Sequence, residues 1–178
     1  CNLLPNKVKK YSPEEFDISS PEETGKTFKE NSFIKASYFS KKTNLICLSD
    51  DSGLEIDLLG GKPGIYSSRW SGEKNNFDLA IRRVFEEMNN IKEDWTRENI
   101  AKFTCCMTLY WPDGKNFSTQ GIVKGKISTV KKGKNGFGYD PIFIPDGYNQ
   151  TFAEMMSDKK MSIDHRFKAF HKIKNFFI

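Results

Sequence analysis

The residues best suited to chemistry form the run Asp50-Asp51-Ser52-Gly53. Two adjacent carboxylates follow a short apolar segment, Leu45-Ile46-Cys47-Leu48, and like charges side by side are tolerated most easily next to a cation. Ser52 adds a hydrogen-bond donor, and Gly53 permits close backbone approach to a ligand or a positive φ. The run therefore suits a magnesium-assisted attack on a phosphate. The alternative interpretation is an acidic turn that Gly53 closes.

A second cluster, Gly136-Phe137-Gly138-Tyr139-Asp140, combines glycines, aromatic rings and a carboxylate. Aromatic faces can stack on a purine, and Asp140 can accept hydrogen bonds from ring N–H groups. A tight turn with two core aromatic residues is the structural alternative. Either interpretation places the cluster in a loop.

A third cluster lies near the C-terminal end, where Lys160 is followed by Asp164-His165-Arg166. We predict one helix from about residue 157 onward, and on such a helix Lys160 and Asp164 share a face. A lysine, a histidine and an arginine so close together could bind a phosphate or the polar edge of a base. Solvated helix residues are the alternative.

The elements that must position these clusters are of both types. The pattern predicts helices over 27–43 and 76–90, the first capped by Thr27 with Glu30 at capping-box spacing. It predicts strands over 45–48, 54–58, 100–111 and 117–130, and a short extended piece at 141–145. Pro112-Asp113-Gly114-Lys115 predicts a hairpin turn. The fold class is therefore α/β, with at least one long antiparallel hairpin.

Composition limits the class of protein. The 178 residues are 37% hydrophobic and 29% charged, which is typical of one globular domain with no apolar run long enough to span a membrane. The net charge of +5 is spread along the chain, and the compact cluster Lys131-Lys132-Gly133-Lys134 is interpreted as a solvated loop in preference to a nucleic-acid patch. No CxxC pair is present, so the four cysteines are expected to be thiols in a reducing cytoplasm.

Taken together, these segments resemble the noncanonical purine nucleoside triphosphate pyrophosphatases, the family of inosine and xanthosine triphosphate pyrophosphatases. The resemblance covers residues 22–170 and is carried by motifs in a fixed order. They are Glu22-Glu23-Thr24-Gly25, Thr27-Phe28-Lys29-Glu30-Asn31, Ser49-Asp50-Asp51-Ser52-Gly53-Leu54, the run 59–69 (LGGKPGIYSSR), Gly136-Phe137-Gly138-Tyr139-Asp140-Pro141-Ile142-Phe143, Thr151-Phe152-Ala153-Glu154-Met155, Lys160 and Ser162-Ile163-Asp164-His165-Arg166.

The resemblance implies Mg2+-dependent hydrolysis of ITP, dITP and XTP to the monophosphate and pyrophosphate, which removes deaminated purines from the nucleotide pool. It implies an elongated mixed sheet with flanking helices, in two lobes around a central cleft, and a cytoplasmic homodimer that binds neither nucleic acid nor membrane. A single pyrophosphatase domain would occupy residues 1–178.

The resemblance also implies roles for particular residues. Asp51 would be the general base and a metal ligand, and Glu22 would be the second carboxylate at the metal, although the adjacent Glu23 leaves the register open. The substrate-binding residues would be Ser52, Phe137, Gly138, Tyr139, Asp140, Lys160, His165 and Arg166. His165 and Arg166 are candidates for reading the 6-oxo group of the base.

Two departures from the family pattern stand out. Family members open with an apolar strand that leads into a Thr/Ser-Gly-Asn-x-x-Lys phosphate loop, and this sequence does not, so we expect it to begin partway into the natural chain. Asp164 stands where Ser or Asn is more usual before the His-Arg pair.

Other functions stay open at the level of sequence. One alternative is a pyrophosphatase of related fold for modified pyrimidine nucleotides. Another is a catalytically inactive nucleotide-binding homologue, and a nucleic-acid-binding protein is the third.

Overall fold

The computed structural model describes residues 4–73 and 75–177. Four strands form one sheet in the order β1-β2-β3-β4, and the predicted α/β class is confirmed. The strands are β1 Cys47–Ile56, β2 Ile100–Tyr110, β3 Asn116–Ile127 and β4 Phe143–Pro145. The helices are α1 Phe28–Thr43, α2 Phe77–Ile91, α3 Ser157–Met161 and α4 His165–His171, with several short 3-10 turns between the elements.

The long hairpin lies where the sequence predicts it. β2 and β3 are neighbours in the sheet, and Trp111 and Lys115 close the turn through a 2.9 Å backbone hydrogen bond. β3 pairs antiparallel with β4, with Gly125 opposite Pro145. Gly125 is required there, because an added Cβ would lie 2.2 Å from the Ile144 carbonyl oxygen.

Two compact units divide the chain, and each draws on separate segments. Unit 1 comprises residues 1–51, 105–121 and 165–178, and unit 2 comprises residues 52–104 and 122–164. Each unit has a hydrophobic core of its own.

The core of unit 1 joins β2 to α4. Its buried members are Cys105, Met107, Ala169, Phe170 and Ile173. Close packing of β3 on α4 depends on Gly121, where a Cβ would lie 2.1 Å from the His165 carbonyl oxygen. A glycine on β3 therefore sets how near the helix that carries His165 can approach the strand.

The core of unit 2 is larger and includes one face of α2. One face of α2 contributes Ala80, Ile81, Val84 and Met88, as the helical spacing predicts. Phe103, Phe143 and Phe152 pack against one another, with ring centroids 4.7 to 6.0 Å apart. This aromatic group anchors β4 in unit 2, and the loop that carries Asp140 leads directly into that strand.

The prediction of an acidic turn between two separate strands, 45–48 and 54–58, is wrong. Asp50, Asp51, Ser52 and Gly53 all lie within one continuous strand, β1, and Gly53 does not have a positive φ. Acidic residues and glycine are uncommon in strands because their side chains add little packing. Here β1 is held against β2, and each carboxylate lies next to a cationic side chain, so the strand continues through the run.

The prediction of a single helix from about residue 157 onward is also wrong, because the chain turns between α3 and α4. Ser162 Oγ donates to the Lys159 carbonyl oxygen at 2.8 Å, a local bond that competes with continuation of the helix. Lys160 therefore lies on α3 in unit 2, whereas His165 and Arg166 lie on α4 in unit 1.

Three of the four cysteines lie among the described residues, and Cys1 lies outside them. Cys47, Cys105 and Cys106 carry thiols without a disulfide. Burial raises the pKa of the Cys47 thiol to about 11 and also raises the pKa of Cys106. Thiols that stay protonated at neutral pH are poor nucleophiles, so Cys47 and Cys106 are not suited to nucleophilic attack.

Within residues 4–73 and 75–177, no helix combines the length and the apolar character that crossing a bilayer requires.

Candidate active site

Asp51 is the centre of a polar cluster in unit 1. Its carboxylate is only 8% exposed and accepts a 3.1 Å hydrogen bond from Asn31 Nδ2. Lys35 Nζ lies 3.5 Å from the other carboxylate oxygen. Asn31 and Lys35 are four residues apart on α1, so they share one face of the helix, and their contacts with Asp51 show that this face meets β1.

Glu23 lies in the same cluster, and Glu22 does not. Lys35 Nζ contacts Glu23 Oε1 at 2.5 Å while it also contacts Asp51, so one ammonium group links the two carboxylates. Glu22, its neighbour in the chain, is exposed. The geometry therefore places Glu23, and not Glu22, in contact with the lysine that also contacts Asp51.

The pKa of Asp51 is raised above its ordinary value. Burial is the largest cause, because the charged carboxylate loses water, and the negative charge of Glu23 adds to it. Lys35 and Asn31 act in the opposite direction but do not outweigh the burial. Asp51 is thus a carboxylate with increased affinity for a proton.

The start of α1 holds the segment that carries Glu23. Thr27 caps the helix by accepting the Glu30 N–H at 3.1 Å, as the sequence predicts. Glu30 reaches back to the Lys26 N–H at 2.6 Å, one residue earlier than a standard capping box. One residue farther back, the Gly25 N–H donates to Asn31 Oδ1 at 2.8 Å.

Asp50 and Arg166 form a second ion pair in unit 1. Arg166 Nε lies 3.2 Å from Asp50 Oδ2, and both side chains are about a third exposed. His165 is 3% exposed, and its Nε2 lies 3.4 Å from an Arg166 guanidinium nitrogen. The fold thus brings the His-Arg pair of α4 to the strand that carries Asp51.

The aromatic-glycine cluster occupies unit 2 and is organised by Asp140. Asp140 is 2% exposed, and its Oδ2 accepts the Phe137 N–H at 2.8 Å and pairs with Lys160 Nζ at 2.6 Å. Lys160 also lies 5.3 Å from the centroid of the Phe137 ring. Phe137 is 60% exposed, so part of this aromatic side chain faces solvent.

Gly136 and Tyr139 fix the shape of the same loop. A Cβ on Gly136 would lie 2.0 Å from Asp140 Oδ2, so only glycine allows this carboxylate to fold back on the backbone. Tyr139 is buried, and its hydroxyl donates to the Ser67 carbonyl oxygen at 2.9 Å. Burial raises the pKa of Tyr139, so it is a neutral hydrogen-bond donor.

The structure therefore divides the predicted site residues into two groups. Asp51, His165 and Arg166 belong to unit 1, and Phe137, Gly138, Tyr139, Asp140 and Lys160 belong to unit 2. Ser52 is half-buried in β1, directly after Asp51. Sequence reasoning missed Asn31 and Lys35, which contact Asp51; their spacing of four predicts only that they share one face of α1.

The carboxylates suit a hard cation. In the part of the chain that the structure describes, no group of three or more His, Cys, Asp or Glu side chains could hold a metal ion. Mg2+ is typically bound by only one or two carboxylates and completes its shell with water and phosphate. The pair Asp51 and Glu23 supplies that number of oxygen ligands, so the donor set fits Mg2+.

Comparison with known proteins gives consistent matches. A model of the Ham1 family matches residues 2–176. The chain is 39% identical over 171 residues to a dITP/XTP pyrophosphatase of Zymomonas mobilis, covering 96% of this chain and 81% of that protein. It is 42% identical over 158 residues to a dITP/XTP pyrophosphatase of Bacillus cereus, covering 88% of this chain and 76% of that protein.

Solved structures give the same result. A HAM1 protein from Coxiella burnetii superposes with a TM-score of 0.90 at 35% identity, covering 98% of this chain and 89% of that one. The Ham1 protein of Staphylococcus aureus superposes with a TM-score of 0.83 at 36% identity, covering 92% of this chain and 83% of that one.

Proposed function

The chain belongs to the Ham1 family, and we propose that it hydrolyses noncanonical purine nucleoside triphosphates, namely ITP, dITP and XTP, to the monophosphate and pyrophosphate. The observation that carries the proposal is the buried Asp51 carboxylate beside Glu23 and Lys35. The relatives named dITP/XTP pyrophosphatase support the substrate class. Such an enzyme removes deaminated purines from the nucleotide pool.

Asp51 is the proposed general base. Attack on a phosphorus atom needs a water molecule that loses its proton, and a carboxylate with a raised pKa accepts that proton more readily than an ordinary one. The hydrogen bond from Asn31 fixes the orientation of the carboxylate. Lys35 supplies positive charge beside it, which also favours a phosphate nearby.

Asp51 and Glu23 are the proposed ligands of Mg2+. The exposed Glu22 is the weaker candidate, since it lacks the link through Lys35 that joins Glu23 to Asp51. When bound, Mg2+ supplies a Lewis acid for the phosphate oxygens.

The base-binding role is assigned to the aromatic loop of unit 2. Phe137 is an exposed aromatic side chain beside Lys160, and aromatic rings are suited to stacking on a purine. Asp140 is almost fully buried, so we assign it to holding Phe137 and Lys160 in place. Tyr139 and Gly138 shape the same loop.

The remaining predicted contacts belong to unit 1 and to β1. His165 and Arg166 carry donors that can pair with a 6-oxo group, and Ser52 adds a hydroxyl next to Asp51. A site that hydrogen-bonds a 6-oxo group disfavours a 6-amino purine, because its buried polar groups would be left unpaired. We also propose that the enzyme acts in the cytoplasm and that it is a homodimer. Light scattering in solution tests the oligomeric state.

A pyrophosphate-release assay tests the function. With Mg2+ present, ITP, dITP and XTP are expected to turn over, whereas ATP, dUTP and dTTP are not. Asp51→Asn is expected to lower kcat by at least about a hundredfold, as loss of a general base does. Asp57→Asn removes an exposed carboxylate six positions along the chain and is the matched control.

Three results would contradict the proposal. Equal turnover of ATP would remove the proposed specificity, and preferential turnover of dUTP or dTTP would indicate a pyrimidine enzyme. Binding of ITP without turnover would indicate an inactive homologue.

A further inference from the structure

Asn31 is fully buried on α1 and uses both ends of its side-chain amide. Its Nδ2 donates to Asp51 Oδ2 at 3.1 Å, and its Oδ1 accepts the Gly25 N–H at 2.8 Å. A buried amide with both ends bonded has one orientation, because rotation would place donor against donor and acceptor against acceptor. Asn31 therefore has a fixed direction between a strand and a loop.

The hydrogen bond from the Gly25 N–H to Asn31 Oδ1 connects α1 to the segment that carries Glu23. Glu23 is two residues before Gly25, and the backbone from there to the helix is held by Thr27 and Glu30. The bond from the Gly25 N–H to Asn31 is the step that connects this segment to the side of α1 facing β1.

Gly25 is adapted to that contact. A Cβ at this position would lie 2.6 Å from Asn31 Oδ1 and 2.7 Å from the Glu30 Cβ. These distances are too short for real Cβ contacts, so any other residue would push the loop away from Asn31. The glycine allows the backbone to approach the amide closely enough to bond.

We propose that Asn31 is a positioning residue that sets the spacing of Asp51 and Glu23, and so prepares the two carboxylates to bind one divalent cation. Its amide holds Asp51 directly and holds Glu23 through the Gly25 backbone. The inference rests on the proposed function only in taking these carboxylates as the metal ligands. Side chains that orient metal ligands typically contribute about 10- to 100-fold to metal affinity.

The test measures metal binding to the 178-residue protein without substrate. Mn2+ is the probe, because it takes the same oxygen ligands as Mg2+ and its free concentration can be read by electron paramagnetic resonance. Asn31→Ala is expected to weaken Mn2+ binding by about 10- to 100-fold. In turnover, the Mg2+ concentration for half-maximal rate is expected to rise by a similar factor, with the KM for ITP at saturating Mg2+ nearly unchanged.

Ser40→Ala is the matched control. Ser40 is also fully buried on α1 and donates one hydrogen bond, to the Leu45 carbonyl oxygen at 2.7 Å, at the opposite end of the helix. It is expected to bind Mn2+ like the parent protein, so a general loss of helix stability is separated from a loss of ligand spacing. Circular dichroism establishes that each variant is folded.

Gly25→Ala keeps the proposal falsifiable if Asn31→Ala does not fold. It disturbs only the loop end of the link and is expected to weaken Mn2+ binding in the same direction. Parent-like Mn2+ affinity in a folded Asn31→Ala, or in Gly25→Ala, would overturn the role of Asn31 while leaving the metal site intact. Absence of Mn2+ binding by the parent protein, or binding unaffected by Asp51→Asn, would overturn both the metal site and this inference.

Discussion

Asp50 and Asp51 are consecutive residues of β1, and their carboxylates have separate cationic partners. Asp50 pairs with Arg166 of α4, whereas Asp51 lies beside Lys35 of α1. Successive side chains of a strand point to opposite faces, so one dipeptide reaches two helices. The two carboxylates are therefore expected to differ in what they do.

Asp50→Ala tests that difference. It removes one of the partners that restrain Arg166, so Arg166 must be ordered further when substrate binds, at a cost of about 0.5 to 1.5 kcal/mol. The KM for ITP is expected to rise about 2- to 12-fold, with kcat little changed. Steady-state kinetics beside Asp51→Asn measure both constants, and a loss of kcat as large as that of Asp51→Asn would contradict separate roles.

The two glutamates give a second test. Glu23→Gln removes a carboxylate that is linked to Asp51 through Lys35. The variant is expected to lower activity at limiting Mg2+ by about 10- to 100-fold. Glu22→Gln changes an exposed neighbour and is the control, with activity expected to stay near that of the parent. The opposite order of effects would restore Glu22 as the ligand that the sequence pattern indicated.

The raised pKa of Asp51 predicts how stability depends on pH. A carboxyl group with a raised pKa in the folded protein stabilises the fold below its unfolded pKa and loses that contribution as the pH rises through the folded value. The charged Asp51 thus disfavours folding at neutral pH. Asp51→Asn is expected to gain free energy of unfolding relative to the parent as the pH rises from about 4 to about 7.

Urea denaturation in the presence of EDTA measures this difference without metal. Asp57→Asn, which removes an exposed carboxylate, is the control for the loss of one negative charge. A parent protein that becomes steadily more stable than Asp51→Asn over the same pH range would show that Lys35 and Asn31 outweigh the burial.

Lys160 is expected to stabilise unit 2. Its partner Asp140 is 2% exposed, so Lys160→Met would leave a buried carboxylate without its ion pair, at a cost of about 3 kcal/mol in the free energy of unfolding. Chemical denaturation of Lys160→Met beside Lys159→Met measures the difference, since Lys159 is exposed and next in the chain. Equal stability of the two variants would contradict this role.

Elements with local causes were predictable from the sequence. The start of α1 depends on Thr27 and Glu30, which lie within one turn of each other, and the face of α2 follows from apolar residues at helical spacing. The hairpin turn between β2 and β3 likewise follows from four adjacent residues. The ordered motifs were also enough to indicate the family that the comparisons show.

The tertiary structure alone decided which side chains surround Asp51. The sequence pattern does not distinguish Glu22 from Glu23, whereas in the structure Lys35 contacts Glu23 and Asp51. Asn31 lies twenty residues from Asp51 in the chain, so its bond depends on how α1 packs on β1. The sequence by itself determined the candidate acids, whereas their partners, and the strand in place of a turn at Asp50 and Asp51, came from long-range packing that no local pattern encodes.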